Sequence, residues 1–192
     1  MFSLGGIIMN PVMNILGLCG SLRAQSRNKG LLRYAAQCLP SHVRFQTAEL
    51  ASIPFYNADF GDDKPEAVRT LIRQATEAEA LILACPEYNY SIAPALKNAL
   101  DWLSREPDNT PLDGKAVAIM GAGGGMGTSR AQYHLRQVCV YLNLRPVNKP
   151  EVFSNAFSSA FNEAGDVVDT SLQQHVAELM NALIDWHAQL TK

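Results

Sequence analysis

The feature that most constrains this chain is a set of short, nearly uninterrupted apolar runs. Met13–Cys19, Ala80–Cys85 and Lys115–Gly121 each end in a loop, and each loop leads into a segment of helical spacing. Continuously apolar runs of this length are expected where helices cover both faces of a parallel sheet. Two weaker strands complete the pattern, Val43–Leu50, less continuously apolar and so placed nearer an edge, and Pro146–Phe153. Between them lie helices at Asn28–Leu39, from Pro65 onward, at Ala93–Arg105, at Thr128–Leu142 and at Leu172–Leu190. Pro40 stops the first of these, and Pro65 suits the first turn of the second. Five strands alternating with helices predict a doubly wound parallel α/β fold.

One domain accounts for residues 13–192, with 1–12 as an N-terminal extension and Met9 as an alternative start. The apolar stretch Phe2–Met9 is too short to span a membrane and lacks the flanks of a signal peptide. Of the 192 residues, 47% are hydrophobic and 18% charged, ordinary for a soluble globular chain. A net charge of −2 without a Lys/Arg run points away from nucleic acid and acidic lipid. Cys19, Cys38, Cys85 and Cys139 are scattered through apolar segments and form no C-x-x-C, so they read as reduced thiols in a cytoplasmic protein. Cys19 and Cys85 end strands, which leaves nucleophilic catalysis open for them. His42, His134, His175 and His187 show no ligand spacing, so no metal is expected.

In a flavodoxin-like three-layer sandwich, with a five-stranded parallel sheet in order 2-1-3-4-5, the loops after strands one, three and four meet at the carboxyl edge of the sheet. All three are chemically unusual here. The first, Gly20–Asn28, has hydroxyls at Ser21 and Ser26, an amide at Asn28 and cations at Arg23, Arg27 and nearby Lys29, with no Asp or Glu from Gly17 to Gly30. Set at a helix N-terminus, it suits a terminal phosphate. It is equally readable as a plain strand–turn–helix joint with Ser26 or Asn28 as N-cap. It is neither a P-loop nor a G-x-G-x-x-G fingerprint. The second loop, Pro86-Glu87-Tyr88-Asn89-Tyr90-Ser91, offers aromatic surfaces and an amide that could meet a heterocycle edge, or simply a turn capped by Ser91. The third, Gly121–Gly127, lets backbone approach a flat ligand closely.

Gly20-Ser21-Leu22-Arg23 with Ser26 and Asn28, then Pro86-Glu87-Tyr88-Asn89, then Pro94-Ala95-Leu96-Lys97-Asn98-Ala99-Leu100-Asp101-Trp102 resemble the NADPH-dependent FMN reductase family. The resemblance runs from Met13 to about Phe153. It implies that Ser21, Arg23, Ser26 and Asn28 hold the FMN phosphate. It also implies that Pro86, Glu87, Tyr88 and Asn89 lie against the isoalloxazine, and that Gly123, Gly124 and Gly125 meet its pyrimidine edge. It further implies an oxidoreductase passing hydride from NADPH or NADH through FMN to quinones, chromate, azo compounds or flavin, with ping-pong kinetics. No side chain is then needed as acid or base, because the cofactor carries the chemistry. The alternative is a flavodoxin-like electron carrier without NAD(P)H turnover, though carriers usually present a strongly acidic face.

The Ala93–Arg105 segment carries two apolar stripes, Leu96/Leu100/Leu103 and Ala95/Ala99/Trp102. One stripe suffices to dock a helix, so the one with Trp102 is expected to form a partner surface. The resemblance implies dimers or tetramers, with Arg130, Tyr133 and Glu151 as further contacts.

Overall fold

Every strand of the main sheet runs parallel to its neighbours. The computed structural model describes residues 13–192, and the expectations for 1–12 lie outside them. In chain order the elements are β1 (Met13–Cys19), α1 (Arg27–Cys38), β2 (Val43–Thr47), α2 (Glu66–Glu77), β3 (Ala80–Ala84), β4 (Glu87–Tyr88), β5 (Ser91–Ile92), α3 (Pro94–Leu103), β6 (Ala116–Gly123), α4 (Ser129–Tyr141), β7 (Arg145–Pro146), β8 (Val152–Asn155) and α5 (Thr170–Leu190). The sheet order is β2-β1-β3-β6, with β7 and β8 both against β6. Ile15 lies beside Ala80, and Ala80 beside Ala116. Because the chain steps from β1 out to β2 and then back past β1 to β3, its winding reverses between β1 and β3. The ligand crevice of a doubly wound sheet opens there.

β7 and β8 form one strand position in two pieces. β7 pairs with Ala116 and Val117 at the start of β6, and β8 pairs with Met120–Gly123 at its end. The single strand expected over Pro146–Phe153 is therefore interrupted. Proline has no N–H for a ladder, and Pro146 and Pro150 bracket the break. The strand order remains 2-1-3-4-5.

Strand alternation divides the core in two. Leu16, Leu18, Leu81, Leu83, Val117 and Ile119 face α2, α3 and α4. Ile15, Ile82 and Met120, with alanines between them, face α1 and α5. Each fully buried leucine or isoleucine contributes about 1.5–3 kcal/mol, and this two-sided burial explains why β1, β3 and β6 are apolar throughout. β2 is the edge strand, and its residues are only partly covered.

Two segments differ from expectation. Residues 86–91, read as a loop, contain a hairpin with Glu87 opposite Ile92 and Tyr88 opposite Ser91. Its two turn residues, Asn89 and Tyr90, have φ of 51° and 66°. This is the backbone of a type I′ turn, and tyrosine is a poor signal for it. The second correction concerns Trp102, which is only 1% exposed. The loop after β2 packs over it: its indole N–H donates to the Pro54 carbonyl at 2.8 Å, and Tyr56 meets its ring edge-on at 5.1 Å. Asn98 Nδ2 donates to the same carbonyl at 2.8 Å, while Asn98 Oδ1 accepts from Tyr56 N. The stripe expected to be free for a partner is thus occupied by the chain itself.

Trp102→Phe keeps the ring contacts and leaves Pro54 still bonded to Asn98. It should cost about 1 kcal/mol in urea unfolding. Trp102→Ala should cost about 3–5 kcal/mol. Equal losses would show that the indole N–H, not the packed ring, fixes the loop.

Candidate functional site

Three strand ends are brought level by backbone bonding: Gly20 N donates to Ala84 O at 2.9 Å, and Cys85 N to Met120 O at 3.0 Å. Gly20 lets the first loop lie against the second, because a Cβ there would sit 2.9 Å from Ala93 Cβ and 3.0 Å from Pro86 Cδ. Asn28 ties the first loop to the third. Its Nδ2 donates to Ala122 O at 2.9 Å, and its Oδ1 accepts from Ala122 N at 3.0 Å. Ser26 is the N-cap of α1, its hydroxyl accepting from Asn28 N at 3.2 Å. The capping and binding readings of that loop are therefore compatible.

The three loops enclose a cavity of about 380 Å³. One end is walled by Ser21, Arg23, Ser26, Arg27 and Asn28, at the N-terminus of α1. Pro86, Glu87 and Tyr88 form one side, and Ala122, Gly123 and Gly124 the other. Ala156 and Phe157 close the rim; Ala156 is held by its N–H donating to Gly123 O at 2.7 Å. Gly123 is needed for this wall, since a Cβ there would fall 2.3 Å from Gly127 O.

The structure sorts the expected residues by role. Ser21, Arg23 and Ser26 wall the polar end, where α1 presents its unbonded N–H groups. Asn28 is on the wall, and its amide also bonds both backbone groups of Ala122. Glu87 is also on the wall, with its carboxylate engaged elsewhere. Oε2 accepts from Arg130 N and Ala131 N, each at 3.1 Å, and Oε1 accepts from Arg130 Nε at 2.7 Å. Thr128, the N-cap of α4, makes no side-chain cap bond, so Glu87 caps that helix instead. The Arg130 guanidinium in turn stacks 3.6 Å over the Tyr90 ring. Asn89 and Gly125 are not on the cavity wall. Asn89 is at the tip of the hairpin, and Gly125 is at the crest of the turn closed by Gly127 N to Gly124 O at 2.8 Å.

Arg27 is the residue that sequence reading undervalued. It counted among the cations of the loop without a site role. Its buried Nε has no hydrogen-bond partner among the described residues, and it stands on the cavity wall. A buried donor left unpaired is costly unless a ligand meets it. Ala156 and Phe157 gave no local signal. The end of the fifth strand position, which opens onto the same crevice, was the clue to them.

Cys19, Cys85 and Cys139 are buried. Burial pushes the Cys19 thiol up, the Cys85 thiol up to about 11 and the Cys139 thiol up to about 12. They therefore stay protonated and poorly nucleophilic near neutral pH. Glu87, the one carboxylate among the described residues of this wall, is engaged by Arg130 and the α4 terminus. What the arrangement offers is an anion seat joined to a slot between Tyr88 and the glycine turn.

Residues 13–159 match the NADPH-dependent FMN reductase family. The chain belongs to that family. It is 41% identical over 184 residues to an NAD(P)H-dependent FMN reductase of Pseudomonas aeruginosa, covering 95% of this chain and 99% of the relative. It is 41% identical over 180 residues to an NAD(P)H:quinone oxidoreductase of Solanum tuberosum, covering 90% and 92%. A solved flavoenzyme, the NAD(P)H:(acceptor) oxidoreductase FerB of Paracoccus denitrificans, superposes with a TM-score of 0.84 at 27% identity, covering 93% of this chain and 98% of that one. The site fits FMN. The orphaned Arg27 donor, the hydroxyls and the α1 terminus suit its phosphate, and the slot suits its flat ring.

Cys19, Cys85 and Cys139 of the native protein should react slowly with Ellman's reagent at pH 8, with the partly buried Cys38 reacting ahead of them, and denatured protein should react at all four cysteines. Raised pKa values mean that reactivity in the native state grows only at markedly higher pH. More than one thiol reacting rapidly at pH 8 would contradict the burial of Cys19, Cys85 and Cys139.

Proposed function

We propose that the chain is an FMN-dependent NAD(P)H oxidoreductase whose acceptors are quinones and related compounds, including chromate, azo compounds and free flavin. The observation that carries the reading is Arg27 Nε, a buried donor without a partner, on the wall of a cavity built from three separate loops. Bound FMN would supply the redox chemistry, hydride transfer between nicotinamide and acceptor. The protein positions it. Arg23 and Arg27 bring positive charge to the phosphate, Ser21 and Ser26 bring hydroxyls, and the backbone of Gly123 and Gly124 faces the ring from one side. Glu87 is neutralised by Arg130 and the α4 terminus, so it adds little negative charge beside the ring. Tyr88 and Phe157, 44% and 84% exposed, flank the mouth and offer a flat apolar surface to a planar acceptor. Donor and acceptor use that one mouth in turn, which supports two half-reactions. The relatives' names are those of reductases and favour this reading over an electron carrier. A cytoplasmic setting accords with four free cysteines.

Self-association belongs to the same reading. Trp102 is excluded as its anchor. Tyr133, Val140 and Tyr141, at i, i+7 and i+8 on α4, are 67%, 80% and 78% exposed and form an apolar stripe suited to a second copy. Arg130 borders this face, engaged with Glu87 and Tyr90. Glu151 pairs with Lys149 at 2.5 Å.

Purified protein should be yellow and should bleach on adding NADPH or NADH without oxygen, with parallel double-reciprocal plots for a quinone. A yellow protein bleached by neither nucleotide would favour the carrier. Arg27→Ala should weaken FMN by roughly 10- to 150-fold, the loss of one charge-assisted contact, and leave riboflavin almost unchanged. Arg23→Glu should lose more. Unchanged FMN affinity in both would put the phosphate elsewhere. Light scattering of the loaded protein should give at least twice the mass of one chain, and Tyr133→Glu with Tyr141→Glu should reduce it to one.

A further inference from the structure

The three cations of the first loop line two different cavities. Arg23 and Arg27 wall the cavity described above. Lys29 follows Arg27 by two helical residues, about 200° around α1, and lines a different depression. This second depression, of about 560 Å³, lies on the other side of Ser21, which both share. It is formed between α1 and the edge strand β2. Leu32 and Phe45 make its floor, and Leu22 and Leu50 its apolar sides. Lys29 and Arg33, four residues apart, stand on the same face of α1 above that floor. Arg33 is held by Asp166, its Nε donating to Oδ1 at 2.7 Å. Lys29 has neither a hydrogen bond nor an ion pair among the described residues. Glu49, the one acid on this wall, has its Oε1 turned to Ala51 N at 2.7 Å.

This division has a consequence for the second substrate. FMN occupies the first cavity and uses its cations. A pyridine nucleotide lying with its nicotinamide on the flavin still carries an adenosine end with phosphates, and these need cations of their own. The adjoining depression has an apolar slot for a flat base, one cation unpaired among the described residues in Lys29 with the Asp166-paired Arg33 one helical turn on, and the size of an ordinary small-molecule site. We propose that it binds the adenosine end of NADPH, with adenine against Leu32 and Phe45 and the 2′-phosphate at Lys29 and Arg33. It follows that NADPH is preferred over NADH, since only NADPH carries that phosphate. The proposal rests on the function proposed above.

The test uses the FMN-loaded protein and a probe without nicotinamide, adenosine 2′,5′-bisphosphate, titrated by calorimetry. The bisphosphate should bind about tenfold more tightly than adenosine 5′-monophosphate. Lys29→Glu should remove that difference and raise the KM for NADPH about tenfold. The KM for NADH, the FMN affinity and the melting temperature should stay as in the unaltered protein. Ala36→Trp, which fills the slot without changing charge, should abolish binding of the bisphosphate and raise the KM for both nucleotides. The proposal is overturned if the bisphosphate binds no better than the monophosphate, if Lys29→Glu leaves its affinity intact, or if that substitution weakens FMN instead. The titration needs no turnover. A protein that binds the bisphosphate but is bleached by neither nucleotide would retain the site and lose the proposed function.

Discussion

The site depends on one amide. Asn28 stands in the first turn of α1, and Ala122 near the end of β6, 94 residues later; the side chain of one bonds to both backbone groups of the other. The amide behaves like a short length of neighbouring strand. It satisfies an N–H and a C=O that would otherwise be buried without partners, at a cost of about 1–3 kcal/mol each. In doing so it sets the spacing between the α1 end of the cavity and its glycine wall. Ser26, Gly20 and the parallel register of β1, β3 and β6 act around that fixed point.

A second polar group works in the same way on the other side of the cavity. The Glu87 side chain is 5% exposed, and it reaches the N-terminus of α4 and the guanidinium of Arg130. A buried carboxylate is tolerable only with such partners. Here it fastens the β4–β5 hairpin to α4 and so holds Tyr88 at the cavity. Two residues of the cavity wall, Asn28 and Glu87, also fix the loops that form it. The rest of the cavity wall is made of serines, arginines, glycine backbone and aromatic rings.

Much of this was legible in the chain. Apolar runs such as Ala80–Ala84 can be buried only between two helical layers, so the fold class followed from pattern, while the order 2-1-3-4-5 was that of a flavodoxin-like sheet. The loops following those runs had to meet at one edge, so Ser21, Arg23, Ser26, Pro86, Tyr88, Gly123 and Gly124 could be placed together. The fifth strand was less legible because Pro146 and Pro150 divide its hydrogen bonding, and the hairpin because Tyr90 is an unusual residue at positive φ. Trp102 was misread. Spacing shows which residues share a face, but the loop that comes to lie on that face is an unpatterned segment, Ala51–Lys64.

The sequence by itself determined the periodicity, and with it the parallel sheet, the two cores and the edge where a ligand must sit. Periodicity is local and survives whatever the rest of the chain does. The tertiary structure alone decided which polar groups were free. Asn28, Glu87 and Arg27 are all hydrogen-bonding residues at loop ends, and nothing nearby in sequence separates them. Asn28 found Ala122 and Glu87 found α4, while Arg27 Nε found no partner among the described residues. Whether a polar atom is spent or available depends on what lies across from it, and those neighbours come from distant strands and helices.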